Sequence, residues 1–389
     1  MKQILYITYY ETIHIFKDKI LLVLIFFVPL LYAFFFGAVY SQGILTGIPL
    51  AVVDLDHSAL SREVIKSFEN SPRFSIVQDI TTYPLLEEGM RKSVIRAGVV
   101  IPENFARDAD LNRGTEILTV YDGSNLIWGY NIRKYTLEVV NQFNTGHASS
   151  YMAGLGLTKK EITNILDTLS TNIDVWYNPT FSYTSYMLYG LIMLVIHQIC
   201  LLSASLTVTR EKEKNCWIQF LSSPLPAWKI FLGKSLPYFL TGFFNYVLLI
   251  WFITRFVQIK IEGSVFLMAL LGLLYTVVII SAGFYISLKA KNSLQATRFI
   301  MLLSVPLLMV SGYTWPQTHI PAFINNFASL IPFTWMAEGF RNIAVKDLGA
   351  GCLTPVILAL SLMSITAVLL AVSFAKRKNR PMKIFNDHF

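Results

Sequence analysis

Thr209 to Pro237 reads TREKEKNCWIQFLSSPLPAWKIFLGKSLP, a charged, tryptophan-bearing stretch between two long uncharged runs. Tyr183 to Val208 holds no Asp, Glu, Lys or Arg, five of the next six residues are charged, and Ser235 to Thr254 again holds none. Two lipid-facing helices need no such connection if it only turns the chain around. Pro224 and Pro226 stop one helix and allow another to start, because proline lacks an N–H and fits a first helical turn. The stretch is therefore read as a rigid, bent helix pair, with 209–234 as an elbow exposed to a partner.

Outward from the elbow, composition places the chain in a membrane class. Hydrophobic residues make up 54% of the 389, charged residues only 14%, and mean hydropathy is +0.52. That excludes one soluble domain. About 20 apolar residues cross ~30 Å of hydrocarbon, and six charge-free runs approach or exceed that length: 20–40, 183–208, 235–254, 263–288, 299–315 and 353–375. A central Lys or Asp would cost roughly 3 kcal/mol on insertion scales, so six clean runs are a strong signal.

Basic residues then orient the spans. Lys2, Lys17 and Lys19 precede the first run; Arg210, Lys212, Lys214, Lys229 and Lys234 occupy the elbow. Lys289, Lys291 and Arg298 join the fourth and fifth runs, and Lys376, Arg377, Lys378, Arg380 and Lys383 crowd the tail, 376–389. In a six-span chain all four places share one side. The positive-inside rule makes that side the cytoplasm, with both termini inside and 41–182 outside. The net charge of +8 is thus accounted for beside the membrane, and no basic stripe interleaved with aromatics points to nucleic acid. Residues 1–19 lead into the first span as an amphipathic helix along the inner surface, with Ile4, Leu5, Ile7, Tyr10, Ile13, Ile15 and Phe16 near helical spacing. A 21-residue apolar run behind Glu11 and Asp18 is too long for a cleaved signal core.

The external segment reads as a mixed α/β domain. Strands are expected at 49–54, 74–77, 97–101 and 116–121, helices from Ser58 to Asn70 and over 85–94, 103–111, 127–151 and 160–169, with a parallel component from the alternation. Asp54-Leu55-Asp56 after a strand has the look of a metal-binding pair, but a strand-end Asp capping a turn is the commoner case. Glu87-Glu88 with Arg91 is a protease-like pattern on a soluble helix. Gly154 to Lys159 lacks the Gly-Lys-Ser/Thr ending of a phosphate loop. Cys200, Cys216 and Cys352 have no external partner and no zinc-like spacing with any His. No nucleotide site, nucleophile–base pair or metal signature is legible, and the chain is read as a non-enzyme binding no cofactor itself.

Two further clusters are candidates for a substrate path or gate. His197, Gln198 and Asn245 are polar groups at membrane depth, where a functional role competes with a hydrogen bond to a neighbouring helix. Ser311, Gly312, Tyr313, Trp315 and Pro316 begin a charge-free stretch that Pro316, Pro321 and Pro332 interrupt, so 316–345 reads as a pair of re-entrant helices dipping in from the outer face. Glu338 and Arg341, three apart, are expected to pair there.

REKEK with FLSSPLPAWKIFLGKSLPY resembles the cytosolic coupling segment of ABC-2 type transporter permeases, and LLSVPLLMVSGYTWPQTHIPAFINNFASLIPFTWMAEGFR resembles their fifth-span and re-entrant region. AVVDLDHSALSREVIKSFENSPRF is similar to the large extracytoplasmic domain of the bacterial, multidrug-efflux-like export subgroup. The resemblance implies an inner-membrane half-transporter that dimerises, with itself or with a sister permease, and docks on separate ABC ATPase subunits carrying ATP and Mg. It implies coupling roles for Arg210, Glu211, Lys212, Glu213, Leu221, Pro224, Ile230, Gly233, Lys234 and Pro237, and Trp217 inside the elbow is expected to share in the coupling. It also implies hand-over to a periplasmic adaptor; the cargo reading, an amphiphilic drug or lipid-like molecule, comes from aromatic-rich spans, although aromatics are also ordinary membrane packing. Asn215-Cys216 stands where the family has Gly-Thr, and Ile218 where an acid is common. The rival reading is a receptor or sensor with an external ligand-binding domain and no ATPase partner.

Overall fold

The computed structural model describes residues 1–40, 45–111, 115–166, 177 and 183–378. The end of the helix read over 160–169, the approach to the second span at 178–182 and the tail beyond 378, with Arg380 and Lys383, lie outside them. The chain divides into two compact units, Met1–Gly43 with Trp176–Phe389, and Ile44–Val175.

In the first unit, six helices are long and apolar enough to cross a bilayer: Lys19–Val39, Tyr186–Glu213, Ala227–Arg255, Val265–Lys289, Ser293–Val310 and Ala350–Lys376. They differ at their ends from the charge-free runs. Helical hydrogen bonding continues wherever a side chain finds a partner, so the second span runs on through Arg210–Glu213 and the third begins at Ala227, taking Gly233 and Lys234 inside it. The fifth begins at Ser293, not Phe299, because the Asn292 side chain accepts from Gln295 N at 2.8 Å and caps the new start.

The amino-terminal helix, Lys2–Lys17, buries Ile7, Glu11 and Ile15, four residues apart on one face. That face lies against the third span, where a Cβ added to Gly233 would come 2.7 Å from Ile7 Cβ. Leu5, Tyr6, Tyr9, Tyr10 and Phe16 are exposed. Asp18 then ends the helix and accepts from Ile20 N and Leu21 N, both at 3.1 Å, so it caps the first span. A single π-turn, Val23–Phe27, precedes Pro29 in that span.

After the fifth span the chain forms a turn, the short helix Ala322–Ala328 and the helix Pro332–Ala344. The latter buries Phe333, Met336, Ala337, Phe340 and Ile343 against the main apolar cluster of the unit. The turn and the short helix before it are largely exposed, with Trp315, Phe323, Phe327 and Leu330 on the surface. One end of the bundle gathers Arg210, Lys212, Lys234 and Lys289; Lys289 Nζ lies 5.3 Å from the ring centres of both Tyr285 and Phe374.

The second unit carries a four-stranded sheet in the order β2-β1-β3-β4: β1 is Ile48–Asp54, β2 Phe74–Ile76, β3 Ala97–Ile101 and β4 Leu118–Tyr121. The first three are parallel and β4 is antiparallel to β3. All of β3 is buried, as expected of a central parallel strand covered on both faces. Leu50, Phe68, Val99, Ile101 and Ile132 form one core, and Ala51, Val53, Leu86, Ile95 and Val100 the other.

Candidate functional site

Four consecutive residues at the end of the second span hold four different parts of the bundle. Arg210 Nη2 donates to Glu11 Oε1 of the amino-terminal helix at 3.0 Å and to Tyr238 Oη of the third span at 3.2 Å. Its Nη1 lies 3.6 Å from Asp18 Oδ2. Glu211 accepts from Lys234 Nζ, inside the third span. Lys212 Nζ donates to the carbonyls of Ser287, Leu288 and Ala290 at 2.7, 2.8 and 2.6 Å, the open C-terminus of the fourth span. Glu213 Oε1 accepts from Ser293 N at 2.7 Å, the start of the fifth. A cation at a helix C-terminus and an anion at an N-terminus both satisfy orphan backbone groups and oppose the helix dipole. The charged run is therefore a junction, and only its last members face outward.

The helix closes in a Schellman turn: Asn215 N donates to Lys212 O at 3.1 Å and Cys216 N to Glu211 O at 2.9 Å. Asn215 has φ +56°, a left-handed conformation that Asn enters more easily than most residues. This is the physical reason Asn can stand where glycine is usual. The elbow helix Trp217–Ser222 follows. Trp217 is buried, stacked on Phe220 at 5.7 Å and clustered with Val208, Ile230, Phe284 and Leu288. Leu221 borders the same cluster, while Ile218, Gln219, Ser222 and Pro224 face outward. Trp217 thus fixes the elbow to the bundle, while its neighbour Ile218 is exposed, as is Trp228 further on.

Far along the same helix, Tyr186 Oη donates to Tyr313 O at 2.6 Å and Tyr313 Oη returns the bond to Tyr186 O. The Tyr313 ring covers Gly190, where an added Cβ would come 2.2 Å from it. Gly312, at φ +75°, makes the turn, and Ser311 Oγ donates to Leu308 O at 2.6 Å. Arg341 Nη2 donates to Gly312 O at 3.2 Å, and its guanidinium lies 4.7 Å from the Tyr313 ring centre. The expected Glu338–Arg341 ion pair does not form: Glu338 is exposed, and Arg341 turns to carbonyls that the broken helix leaves free. Trp315 and Pro316 are exposed and stand apart from the buried Tyr313.

Residues 19–373 match the family described as ABC-2 family transporter protein. The chain belongs to that family. This ABC-2 chain is 24% identical over 302 residues to the probable multidrug ABC transporter permease YbhR of Escherichia coli K12, covering 78% of this chain and 79% of that one. It is 24% identical to the inner membrane transport permease YhhJ of Escherichia coli K12, covering 88% of each. It is 23% identical to the linearmycin resistance permease protein LnrN of Bacillus subtilis, covering 88% and 91%. It is a multi-pass protein of the cytoplasmic membrane.

The membrane-depth polar residues of the ABC-2 chain have different partners. His197 Nδ1 is 2.7 Å from Tyr275 Oη, and its ring meets Phe333 edge-on at 5.4 Å. Asn245 Nδ2 donates to Ile25 O at 2.8 Å, tying the third span to the first. Gln198 is half-buried, and its Oε1 has no protein partner.

Glu11 is the residue that sequence reasoning passed over. The available signal was an acid flanked by Ile7 and Ile15 at helical spacing, on the apolar face where a free carboxylate does not belong. His14 nearby has its pKa lowered, first by burial and then by the Arg210 charge. In the second unit the apparent motifs are structural. Asp54 Oδ1 accepts from Asp56 N and His57 N at 3.1 Å, and Oδ2 from Ser61 Oγ at 2.7 Å. Glu88 pairs with Lys92 at 2.6 Å, and Thr158 with Glu161 caps the helix Lys159–Leu166.

Proposed function

We propose that this chain is the permease subunit of an ATP-driven exporter, powered by separate ATPase subunits that carry ATP and Mg. The single observation behind the coupling role is the junction: Arg210, Glu211, Lys212 and Glu213 grip the amino-terminal helix and the third, fourth and fifth spans in turn. A push on the elbow helix from outside would reach all of them, because Trp217 and the Schellman turn leave little slack between elbow and span. Ile218, Gln219 and Ser222 are the exposed side chains such a partner would meet.

On this reading both termini and the junction face the cytoplasm, in keeping with the basic residues gathered at that end, and Ile44–Val175 lies outside. The chain works as a dimer, with a second copy or with a sister permease, and its external unit hands cargo to a periplasmic adaptor. The substrate class is an amphiphilic drug or lipid-like molecule, supported by relatives named for multidrug transport and linearmycin resistance. Membrane lipid surrounds the exposed aromatic face of the amino-terminal helix.

Affinity purification of the tagged chain in mild detergent, with an ATPase assay on what co-purifies, tests this. An ATP-hydrolysing subunit that is recovered with wild type and lost with Ile218→Glu supports the reading. A chain that purifies without one, from cells expressing a candidate subunit, refutes it in favour of a receptor.

A further inference from the structure

We infer that the second unit holds a binding site for a cationic amphiphile, an amine cation on an apolar or aromatic body, with Glu116 as its counter-ion. For the role of that site, acceptance of cargo on its way out, the inference rests on the exporter reading. The site itself rests on geometry within the unit.

Three helices share the core on one face of the sheet: Ala59–Glu69, Phe105–Asp110 and Leu126–Gly154. Val64 and Phe68 recur at four-residue spacing on the first, and Val139 and Phe143 on the third, so each presents an apolar stripe to that core. The stripes do not close completely. Between them and residues 115–117, which lead into β4, a cavity of about 300 Å³ remains. Phe68, Phe105 and Val139 are buried and form its bottom, while Ile117 and Phe143 are half-buried and form apolar walls.

The rim supplies the polar chemistry. Ser67, Thr115 and Asn144 are neutral, and the exposed Glu116 is the one ionisable side chain lining the cavity among the described residues. No Lys, Arg or His shares that lining, and among the described residues Glu116 makes no ion pair. A mostly apolar hollow of ~300 Å³ or more with a few polar groups is a common form of small-molecule site. A lone carboxylate at its rim attracts a positive ligand and repels a negative one, and aromatic faces add to the attraction for a cation. A second, wider cleft that shares Phe143, about 830 Å³, lacks this selectivity. Lys66 and Arg73 line it together with Glu63 and Glu138, so its charges oppose one another.

The test uses the full chain in lipid nanodiscs, with benzyldimethylhexylammonium as the probe and hexylbenzenesulfonate as the anionic control. Amide hydrogen exchange of peptides covering 115–117 and 139–144 is the readout, because partition into lipid does not protect those segments. The cation slows exchange there saturably, and the sulfonate binds about tenfold more weakly or worse, since attraction becomes repulsion. Glu116→Gln weakens binding of the cation about threefold or more without weakening that of the sulfonate. Glu63→Gln, in the wider cleft, changes neither. Absence of saturable protection by the cation, or full affinity in Glu116→Gln, overturns the site. The cargo role is read in cells expressing the exporter, where Glu116→Gln raises accumulation of the cation about threefold or more over wild type. Equal accumulation overturns that role and leaves the exporter reading standing. If no ATPase subunit is recovered while binding persists, the exporter reading fails by itself and the site stands as that of a ligand receptor.

Discussion

Asn245 donates through Nδ2 to the Ile25 carbonyl at 2.8 Å, the carbonyl that Pro29, four residues on, has no N–H to reach. Proline in a helix orphans the carbonyl at i−4. Here the π-turn loosens the first span around that group, and a side chain from the third span replaces the missing donor. Asn245→Leu should lower stability by about 2 kcal/mol, measured by thermal unfolding in detergent. Pro29→Ala restores the backbone donor, so the same substitution in that background should cost less than half as much. Equal costs in the two backgrounds would assign Asn245 another role.

Tyr313 and Gly190 give a second test. Gly190→Ala forces the ring off the second span and should cost about 1–3 kcal/mol, the usual toll of overpacking. Removing the ring with Tyr313→Ala should make the methyl harmless. If Gly190→Ala costs as much in the Tyr313→Ala background as in wild type, the clash lies elsewhere.

Trp217 and Ile218 are neighbours with opposite surroundings. Trp217→Ala empties a buried site and should destabilise by about 3–5 kcal/mol, read as a lower Tm. Ile218→Glu should leave Tm within a degree or two and weaken recovery of the ATPase subunit at least about tenfold. A normal yield of subunit with Ile218→Glu would move the docking surface off the elbow helix.

Lys212 closes the fourth span. Lys212→Met keeps the aliphatic stem and removes three hydrogen bonds to carbonyls, so amide exchange near the end of that helix, 285–290, should rise about tenfold or more. Lys212→Arg should recover much of the protection. Equal exchange in wild type and Lys212→Met would mean that water caps the helix as well as lysine does.

Asp122 sets a pH dependence in the external unit. Its carboxylate is held below the usual range by the Ser124 hydroxyl first, then by Ser124 N–H and the Arg96 guanidinium. A depressed carboxylate contributes stability that is complete above the unfolded value and lost as pH falls through the folded one. Protection of 118–124 should therefore decline as pH drops below about 4, and Asp122→Asn should flatten that decline. An unchanged profile in the variant would assign the loss to another group.

Much of this fold was legible in the residues. Six charge-free runs predict six long helices because each run is apolar around its whole circumference, and alternating short apolar runs predict the strands of the sheet. The endpoints were less legible, since apolarity stops at Val208 while the helix goes on to Glu213. The charges at 210–213 stay helical because each finds a partner on another element, and those partners lie as far away as Glu11 and Ser293. Glu338 and Arg341 failed for the same kind of reason: helical spacing permits their pairing, but a turn almost thirty residues upstream offers Arg341 better acceptors.

What the sequence determined by itself is set by local free energies: which segments are apolar enough to span, where Asp18, Asn292 and Asn245 offer polar atoms, and where prolines interrupt. Only the tertiary structure decided which of two neighbours, Trp217 or Ile218, is buried, and that Arg210 to Glu213 hold four separate elements. Those outcomes depend on groups distant in the chain arriving within 3 Å of each other. A buried charge is tolerable only where such partners arrive, and the partners of Glu11 are over 190 residues away.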